Sequence, residues 1–391
     1  MRLRHVTFHH VRIPLKRTIR HASFTRTATD SLVVRAEWDG AVGWGEGLPR
    51  HYVTGETIDD AWDLIDRVNL AESFGGRDWT LPTLIARCGE FSLSPGRDDV
   101  RSCFGNSLRC ALELALLDGA FRSAGESLRN LPRYGGEESA ADPVDALPRY
   151  SAVITVMFQP RAMSQAVAFR ALGLKSFKFK VGAKPGEARF VRHARKLLGR
   201  SVSLRIDANE AWRPEDLRDH MGRFAAASLD SVEQPIPHRE LAALAGTRGT
   251  LPIPVMLDES MCSPEDAQAA IRDRTCDLFN VRLSKCGGFL PALRILRAAT
   301  AAGIGCQLGC QVGETGILSA AGRQFASFAL GLRWLEGSFD SFLVKERLTR
   351  QNLTFGFGGR GRELTGPGLG IDIDEAAVAR VTIRSKTIRC G

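Results

Sequence analysis

From Tyr150 onward the chain repeats one pattern: a short apolar run of strand length, a stretch with helical spacing, then another run. Eight such runs occur, at 151–156, 177–181, 202–206, 229–232, 254–257, 278–283, 304–308 and 332–335. Runs so nearly continuous in apolar residues suit strands buried on both faces, the environment of a parallel sheet covered by helices. Some intervening segments open with helix-start chemistry, as in Ser263-Pro264-Glu265-Asp266. Eight strands alternating with helices fit a parallel barrel with its helices outside. A doubly wound open sheet is the alternative. Successive units share no residue-level similarity, which excludes a solenoid.

The N-terminal part has a different texture. Residues 2–13 and 31–38 alternate in the strand manner, and Asp39-Gly40 is a hairpin signal before a third strand at 42–47. Ile58, Ala61, Trp62 and Ile65 recur at helical spacing, as do Leu108, Ala111, Leu112, Ala115 and Leu116. A stretch rich in Gly, Pro and acidic residues, 131–148, reads as a linker. After Lys345 the pattern gives way to a Gly-rich segment and a strand-like piece at 381–388.

Composition narrows the class. With 391 residues, 44% hydrophobic and 25% charged, the chain is neither disordered nor fibrous. Nine cysteines without a CxxC pair favour reduced thiols, so a cytoplasmic location is expected. No apolar run nears the roughly 20 residues needed to cross a bilayer, and the alternating N-terminus reads as a strand rather than a signal peptide. The formal charge of +9 comes from 44 Arg and only 9 Lys, spread along the chain rather than clustered as a nucleic-acid footprint would be. In a chain so poor in lysine, a lysine at a patterned position has a task arginine cannot perform, because lysine alone can be tuned into a base.

Such positions exist. Lys180, Asp207, Glu233, Asp258 and Lys285 follow successive strand candidates at gaps of 27, 26, 25 and 27 residues. One strand, one helix and two short loops account for about that length, so each residue occupies the same place in its unit. In a parallel barrel that place is the C-terminal rim, where active sites are built. Three carboxylates on one rim repel unless a cation neutralises them, and all-oxygen donors favour Mg²⁺ or Mn²⁺. Lysines flanking such an ion suit proton abstraction beside a carboxylate. Lys178 and Lys180 share one strand face, and a neighbouring ammonium depresses the pKa of its partner. Other motifs are weaker: the glycine-rich 356–361 lacks a following helix for phosphate binding, and Cys306 with Cys310 lacks a nearby histidine for zinc. His51 falls in the N-terminal region, where it is read as exposed unless it lines the pocket.

The motifs KFKVG (178–182), RIDANEAW (205–212), VEQPIP (232–237), LDES (257–260), SKCGG (284–288) and GCQVGETG (309–316) resemble the ordered motifs of the enolase superfamily. More narrowly they resemble its muconate-lactonizing-enzyme subgroup, also called the mandelate racemase/muconate lactonizing enzyme family. The resemblance implies an α/β fold: a modified (β/α)7β TIM barrel with an α+β capping domain formed by the N-terminal region and the C-terminal tail. The expected division is 1–130 cap, 131–345 barrel and 346–391 a segment returning to the cap. Asp207, Glu233 and Asp258 match Mg²⁺ ligands (Mn²⁺ being the alternative ion), and Lys180 and Lys285 match the opposing acid/base pair. Lys178 matches a residue that tunes Lys180 and touches the substrate carboxylate, and Glu314 matches a support for that end of the site. Asn209 and Glu259 match partners of these groups.

The segment 43–57, GWGEGLPRHYVTGET, resembles the mobile cap loop region and the helix after it, and looks nearest to dipeptide epimerases. Those enzymes carry Asp-x-Asp after the eighth strand to hold the substrate ammonium. Here Ser338-Phe339-Asp340 leaves Asp340 alone, with Glu336 nearby, and cap arginines that grip an acidic side chain are not clearly matched, Phe24 lying between Arg20 and Arg26. The implied activity is racemisation or epimerisation of a dipeptide or N-acylamino acid by two-lysine proton transfer through a metal-stabilised enediolate. A muconate-type cycloisomerase, an o-succinylbenzoate synthase-like lyase and a non-catalytic binding barrel are the alternatives. The expected partners are a small carboxylate and further copies of the chain as a homo-oligomer, with no nucleic acid and no membrane.

Overall fold

The computed structural model describes residues 1–20, 25–94, 96, 99–134 and 149–391, so the linker read at 131–148 falls outside it from residue 135, as does Phe24. The first three strands are β1 (Leu3–Arg20), β2 (Thr25–Trp38) and β3 (Ala41–Gly47). Eight short strands follow: β4 (Ala152–Thr155), β5 (Ser176–Lys180), β6 (Ser203–Asp207), β7 (Ser231–Glu233), β8 (Val255–Leu257), β9 (Leu278–Val281), β10 (Gly305–Leu308) and β11 (Leu332–Leu335). These eight form one sheet in strict chain order with parallel pairing, which excludes the permuted order of a doubly wound sheet. The two edges meet: Tyr150 and Leu335 form a parallel bridge, and Ser151 N donates to Leu335 O at 2.8 Å. Helices link most neighbours, but only a 3-10 stretch, His238–Leu244, follows β7.

Pairing fixes which side chains enter the barrel. Lys178 lies beside Arg205 and Lys180 beside Asp207, which in turn lies beside Glu233. Asn280 lies beside Gln307, and Gln307 beside Trp334. Residues of the other parity pack outward, as Phe179 does edge-on against Phe190 at 5.3 Å between ring centres. Met256, Leu278 and Trp334 form a small apolar cluster of their own, apart from the main core.

The cap is an antiparallel sheet in which β12 (Thr382–Arg389) joins β1, β2 and β3 in the order β12-β1-β2-β3. The terminal strand was legible at 381–388, but the short helix before it, Glu375–Val381, was not. The helix Asn106–Ser123 lies on β3 and buries fifteen of its eighteen residues, so it lacks the polar face of a surface helix.

The glycines of GWGEG explain how the helix fits. A Cβ on Gly43 would lie 2.1 Å from Ala115 O, on Gly45 2.0 Å from Ala111 O, and on Gly47 1.9 Å from Ser107 O. Backbone therefore packs on backbone, and the expectation of a mobile loop is corrected for 43–47, which is a buried strand of the cap sheet. Gly45→Ala is expected to destabilise by about 3 kcal/mol or more, because neither helix nor strand can yield; a denaturant midpoint close to that of the wild type would contradict this packing.

The cap is pinned to the barrel by buried polar contacts. Glu46 of β3 accepts from Thr315 N at 3.0 Å, Thr315 Oγ1 at 2.7 Å and Leu318 N at 3.1 Å, at the start of the helix Gly316–Ala326. A carboxylate there meets the orphan N–H groups and the positive end of the helix dipole. Asn106 Nδ2 donates to Lys285 O at 2.8 Å and to Cys262 O at 3.0 Å.

Glu56 is wholly buried, with Ser107 as its hydrogen-bond donor, and burial pushes its carboxyl up to about 7. Between the unfolded value of 4.5 and about 7 the unfolded chain releases this proton while the folded one retains it. Stability therefore falls with rising pH across that window, by about 3 kcal/mol from this group. Glu56→Gln should remove that slope, seen as a smaller loss of urea midpoint between pH 5 and pH 8 than the wild type shows.

Candidate active site

Each phased residue stands at a C-terminal strand end: Lys180 closes β5, Asp207 closes β6, Glu233 closes β7, and Asp258 follows β8 by one residue. Lys285 lies in a single helical turn, Leu283–Cys286, that follows β9. Lys180, Asp207, Glu233 and Asp258 are thus carried by four neighbouring strand ends, and Lys285 by the turn after the fifth. Four of the six non-glycine residues with positive φ among the described residues, Asn209, Glu210, Gln234 and Ser338, sit in loops at this rim. Strained backbone of this kind persists where the surroundings fix it, commonly at functional sites.

The ionic contacts form one buried network. Lys178, only 2% exposed, donates to Glu233 Oε2 at 2.9 Å and lies 2.8 Å from Glu336 Oε2 and 3.6 Å from Asp207 Oδ2. Burial opposes its charge, but these three carboxylates outweigh burial and hold its pKa above the ordinary lysine value. Burial likewise opposes the charge of Glu233, which Lys178 and Arg282 nevertheless draw far below the usual carboxylate range. Glu233 Oε1 also accepts from Asn280 Nδ2 at 2.7 Å.

Lys180 reaches Asn209 Oδ1 at 3.1 Å and lies 3.5 Å from Asp207 Oδ2, with its side chain a quarter exposed. Lys285 is fully buried and donates to Asp258 O at 2.7 Å, Asp258 Oδ1 at 2.9 Å and Asn280 O at 2.7 Å. Burial is the largest single influence and lowers its pKa, but Asp258 with the neighbouring Cys262 and Cys286 together outweigh it, so it lies above the ordinary value. Arg282 contacts both Asp258 and Glu233. Gln234 braces the loop by accepting from Asp258 N at 2.9 Å and Ser260 N at 3.1 Å.

The supporting residues divide. Asn209 and Glu259 join the cluster: Asn209 N donates to Asp207 Oδ1 at 3.0 Å, and Glu259 is buried with its carboxyl pushed well up, first by burial and then by Asp258. Glu314 is carried past β10, accepts from Gln311 N, and burial pushes it up to about 8. It lines a small cavity with Glu336, Tyr150, Ser319 and Ser338. Asp340, beyond β11, is 2% exposed, burial pushes its carboxyl up against the lowering effect of the backbone N–H groups of Ser341 and Asp340, and no side chain hydrogen-bonds to either carboxylate oxygen. His51 is exposed at the start of a short helix.

Arg205, Asn280, Arg282 and Gln307 were not singled out from the sequence. A signal was there: Arg205 and Asp207, or Asn280 and Arg282, are polar pairs two apart at strand ends, the same inward parity as Lys178 and Lys180.

Fitness for a metal rests on the oxygens. Among the described residues no three His, Cys, Asp or Glu groups stand in a metal-holding arrangement; Lys178, Arg282 and Lys285 close on the carboxylates. Yet Asp207 Oδ2 is buried without a hydrogen-bond partner, Lys180 and Lys178 standing off it at 3.5 and 3.6 Å, and Glu259 Oε2 is buried without one as well; a buried carboxylate oxygen left in that state is costly unless a cation closes on it. Asp207, Glu233 and Asp258 on three adjacent strand ends are hard oxygen donors of the kind Mg²⁺ takes. The donor types therefore suit that ion, while their present arrangement is closed up around the lysines and Arg282.

Comparison with known proteins agrees with this architecture. The enolase C-terminal domain-like family model matches residues 161–377. A hydrophobic dipeptide epimerase of Enterococcus faecalis is 30% identical over 331 residues, 82% of this chain and 86% of that protein. Muconate cycloisomerase 1 of Rhodococcus opacus is 28% identical over 374 residues, 94% of each chain. The solved dipeptide epimerase of E. faecalis V583, complexed with Mg and the dipeptide L-Leu-L-Tyr, superposes with a TM-score of 0.80 at 25% identity, covering 95% of this chain and 100% of that one. The chain belongs to the enolase superfamily, within the muconate-lactonizing-enzyme subgroup of isomerases.

Proposed function

We propose that the protein is a Mg²⁺-dependent racemase or epimerase that moves a proton at the carbon next to a carboxylate, on a dipeptide or N-acylamino acid. One observation carries this reading: Lys180 and Lys285 stand at the two ends of the row of strand ends that bears Asp207, Glu233 and Asp258. A substrate carboxylate directed at that row would present its α-carbon between the two lysine Nζ atoms, one acting as the neutral amine that accepts a proton and the other as the ammonium that gives one. Mg²⁺, when held by Asp207, Glu233 and Asp258, supplies fixed positive charge against the developing negative charge on the substrate.

The chain's own groups do the rest. One lysine takes the α-proton at its Nζ and the other returns one to the opposite face. Asn209 holds Lys180 by its Oδ1, while Asp258 and the Asn280 carbonyl hold Lys285. The cap, pinned through Glu46 and Asn106, covers the rim and limits water.

The decisive test follows α-proton exchange in D₂O with Mg²⁺, using dipeptides, N-succinylamino acids and muconates. Exchange of amino-acid carboxylates supports the proposal, and its absence from all of them defeats it. The likeness to muconate cycloisomerase over 94% of the chain sustains a second reading, lactonisation, which the muconate arm detects. The buried Asp340, to which no side chain hydrogen-bonds, favours a substrate with a cationic end. Asp340→Asn should therefore raise KM for dipeptides about tenfold while leaving KM for N-succinylamino acids, which lack that ammonium, within twofold.

A further inference from the structure

Nine large apolar side chains are exposed among the described residues, and most are scattered over the outer helices and the cap. Three are not: Met157 (58% exposed) and Phe158 (65%) follow β4, and Phe342 (53%) follows β11. Strands β4 and β11 are the two that meet where the barrel closes, through the Tyr150–Leu335 bridge. On its other side β4 pairs with β5, Thr155 lying beside Lys180. Val156 N donates to Lys180 O at 3.1 Å, which clamps the turn carrying Met157 and Phe158 to the strand end that carries the lysine.

The same sector faces the cap. Leu15 of β1 bridges Val344, Lys345 N donates to Pro14 O at 2.9 Å, and Lys16 Nζ donates to Ser341 O at 2.6 Å. Single exposed apolar residues are ordinary, whereas a group of them on the segments that follow two neighbouring strands, beside a reactive lysine, marks a recognition surface. Methionine adds adaptability to such a wall.

We infer that Met157 and Phe158, with Phe342 in the short helix Asp340–Leu343 after β11, form the specificity wall of the site, selecting substrates whose reacting carbon bears an apolar side chain. This rests on the proton-transfer reading and deepens it by naming the substrate class. A hydrophobic wall discriminates a branched aliphatic group from a methyl by about 10- to 200-fold.

The experiment compares N-succinyl-leucine with N-succinyl-alanine, and Ala-Leu with Ala-Ala, by loss of the α-proton NMR signal in D₂O with Mg²⁺. The wild type is expected to favour the leucine member of each pair. In the Met157→Ser/Phe158→Ser double variant that kcat/KM ratio should fall at least tenfold, through slower leucine turnover. Leu197→Ser, an exposed apolar site on an outer helix, should leave the ratio unchanged. A ratio within twofold of wild type in the double variant, with exchange itself intact, overturns the inference alone, as does a wild type that prefers alanine. No exchange of any of these carboxylates by the wild type overturns the proton-transfer reading and this inference with it.

Discussion

Lys285→Ala is expected to abolish interconversion in both directions, with kcat lowered about 10³- to 10⁴-fold, while α-proton exchange survives from one substrate configuration only. Every turnover uses both lysines, so interconversion stops, but the configuration whose proton points at Lys180 can still lose and regain it there. Lys180→Ala should give the mirror result. The pair of patterns separates this mechanism from general damage, which would slow exchange from both configurations alike. The two variants differ in their structural risk. Lys180 is a quarter exposed and leaves little behind, whereas Lys285 is buried on three acceptors, two of them backbone or side-chain atoms of Asp258. Circular dichroism on both variants therefore belongs beside the kinetics. Interconversion within tenfold of wild type in either variant would remove that lysine from the chemistry.

Lys178→Met is expected to cost about 3–5 kcal/mol of stability, since it leaves Glu233 and Glu336 buried without their shared cation. Arg205, 3.3 Å from Glu336, and Arg282, 3.5 Å from Glu233, offset part of that loss but cannot replace a group lying between both acids. The pH window follows from the signs. Glu233 is depressed in the folded state, so its contribution is present above its unfolded value of 4.5 and fades as the pH falls below it. Lys178 is raised, so its contribution is complete below its unfolded value of 10.5 and fades above it. The difference between variant and wild type should be greatest between those limits and shrink in acid. Urea unfolding at pH 7 and pH 4 checks this, and a difference under about 1 kcal/mol at pH 7 would show that the network carries little of the fold. Lys178 thus has a structural task beside the tuning role expected of it, its ammonium being already committed to protein carboxylates.

The barrel was legible because its strands are buried on both faces and so carry uninterrupted apolar runs; each observed strand falls on or within a residue or two of a run. The phase of Lys180, Asp207, Glu233, Asp258 and Lys285 was legible because every unit costs nearly the same length of chain. What was hidden depends on contacts across the barrel. That Arg205 reaches Glu336, or that Arg282 spans Asp258 and Glu233, follows from curvature that strand parity alone does not specify. The glycines of β3 show the same limit: Gly43, Gly45 and Gly47 look like loop residues until the helix Asn106–Ser123 is seen to rest on them. The reach of β1 to Arg20, beyond the expected end at 13, arises because it pairs with β2 along a hairpin whose register shifts after Pro14.

The pairing of β12 with β1 has a consequence for how the molecule is made. His5 lies beside Arg389 and Val6 beside Ile388, so one edge of the cap sheet must wait for residues synthesised after the whole barrel. Contacts so distant in sequence form late, after loop closure has been met by earlier structure. A nascent chain can complete the barrel strands while β1 still exposes an unpaired edge, the state in which strands find wrong partners. Refolding should accordingly show a slow final phase in which the cap acquires protection from hydrogen exchange after the barrel has it, and aggregation should be confined to the interval before that phase.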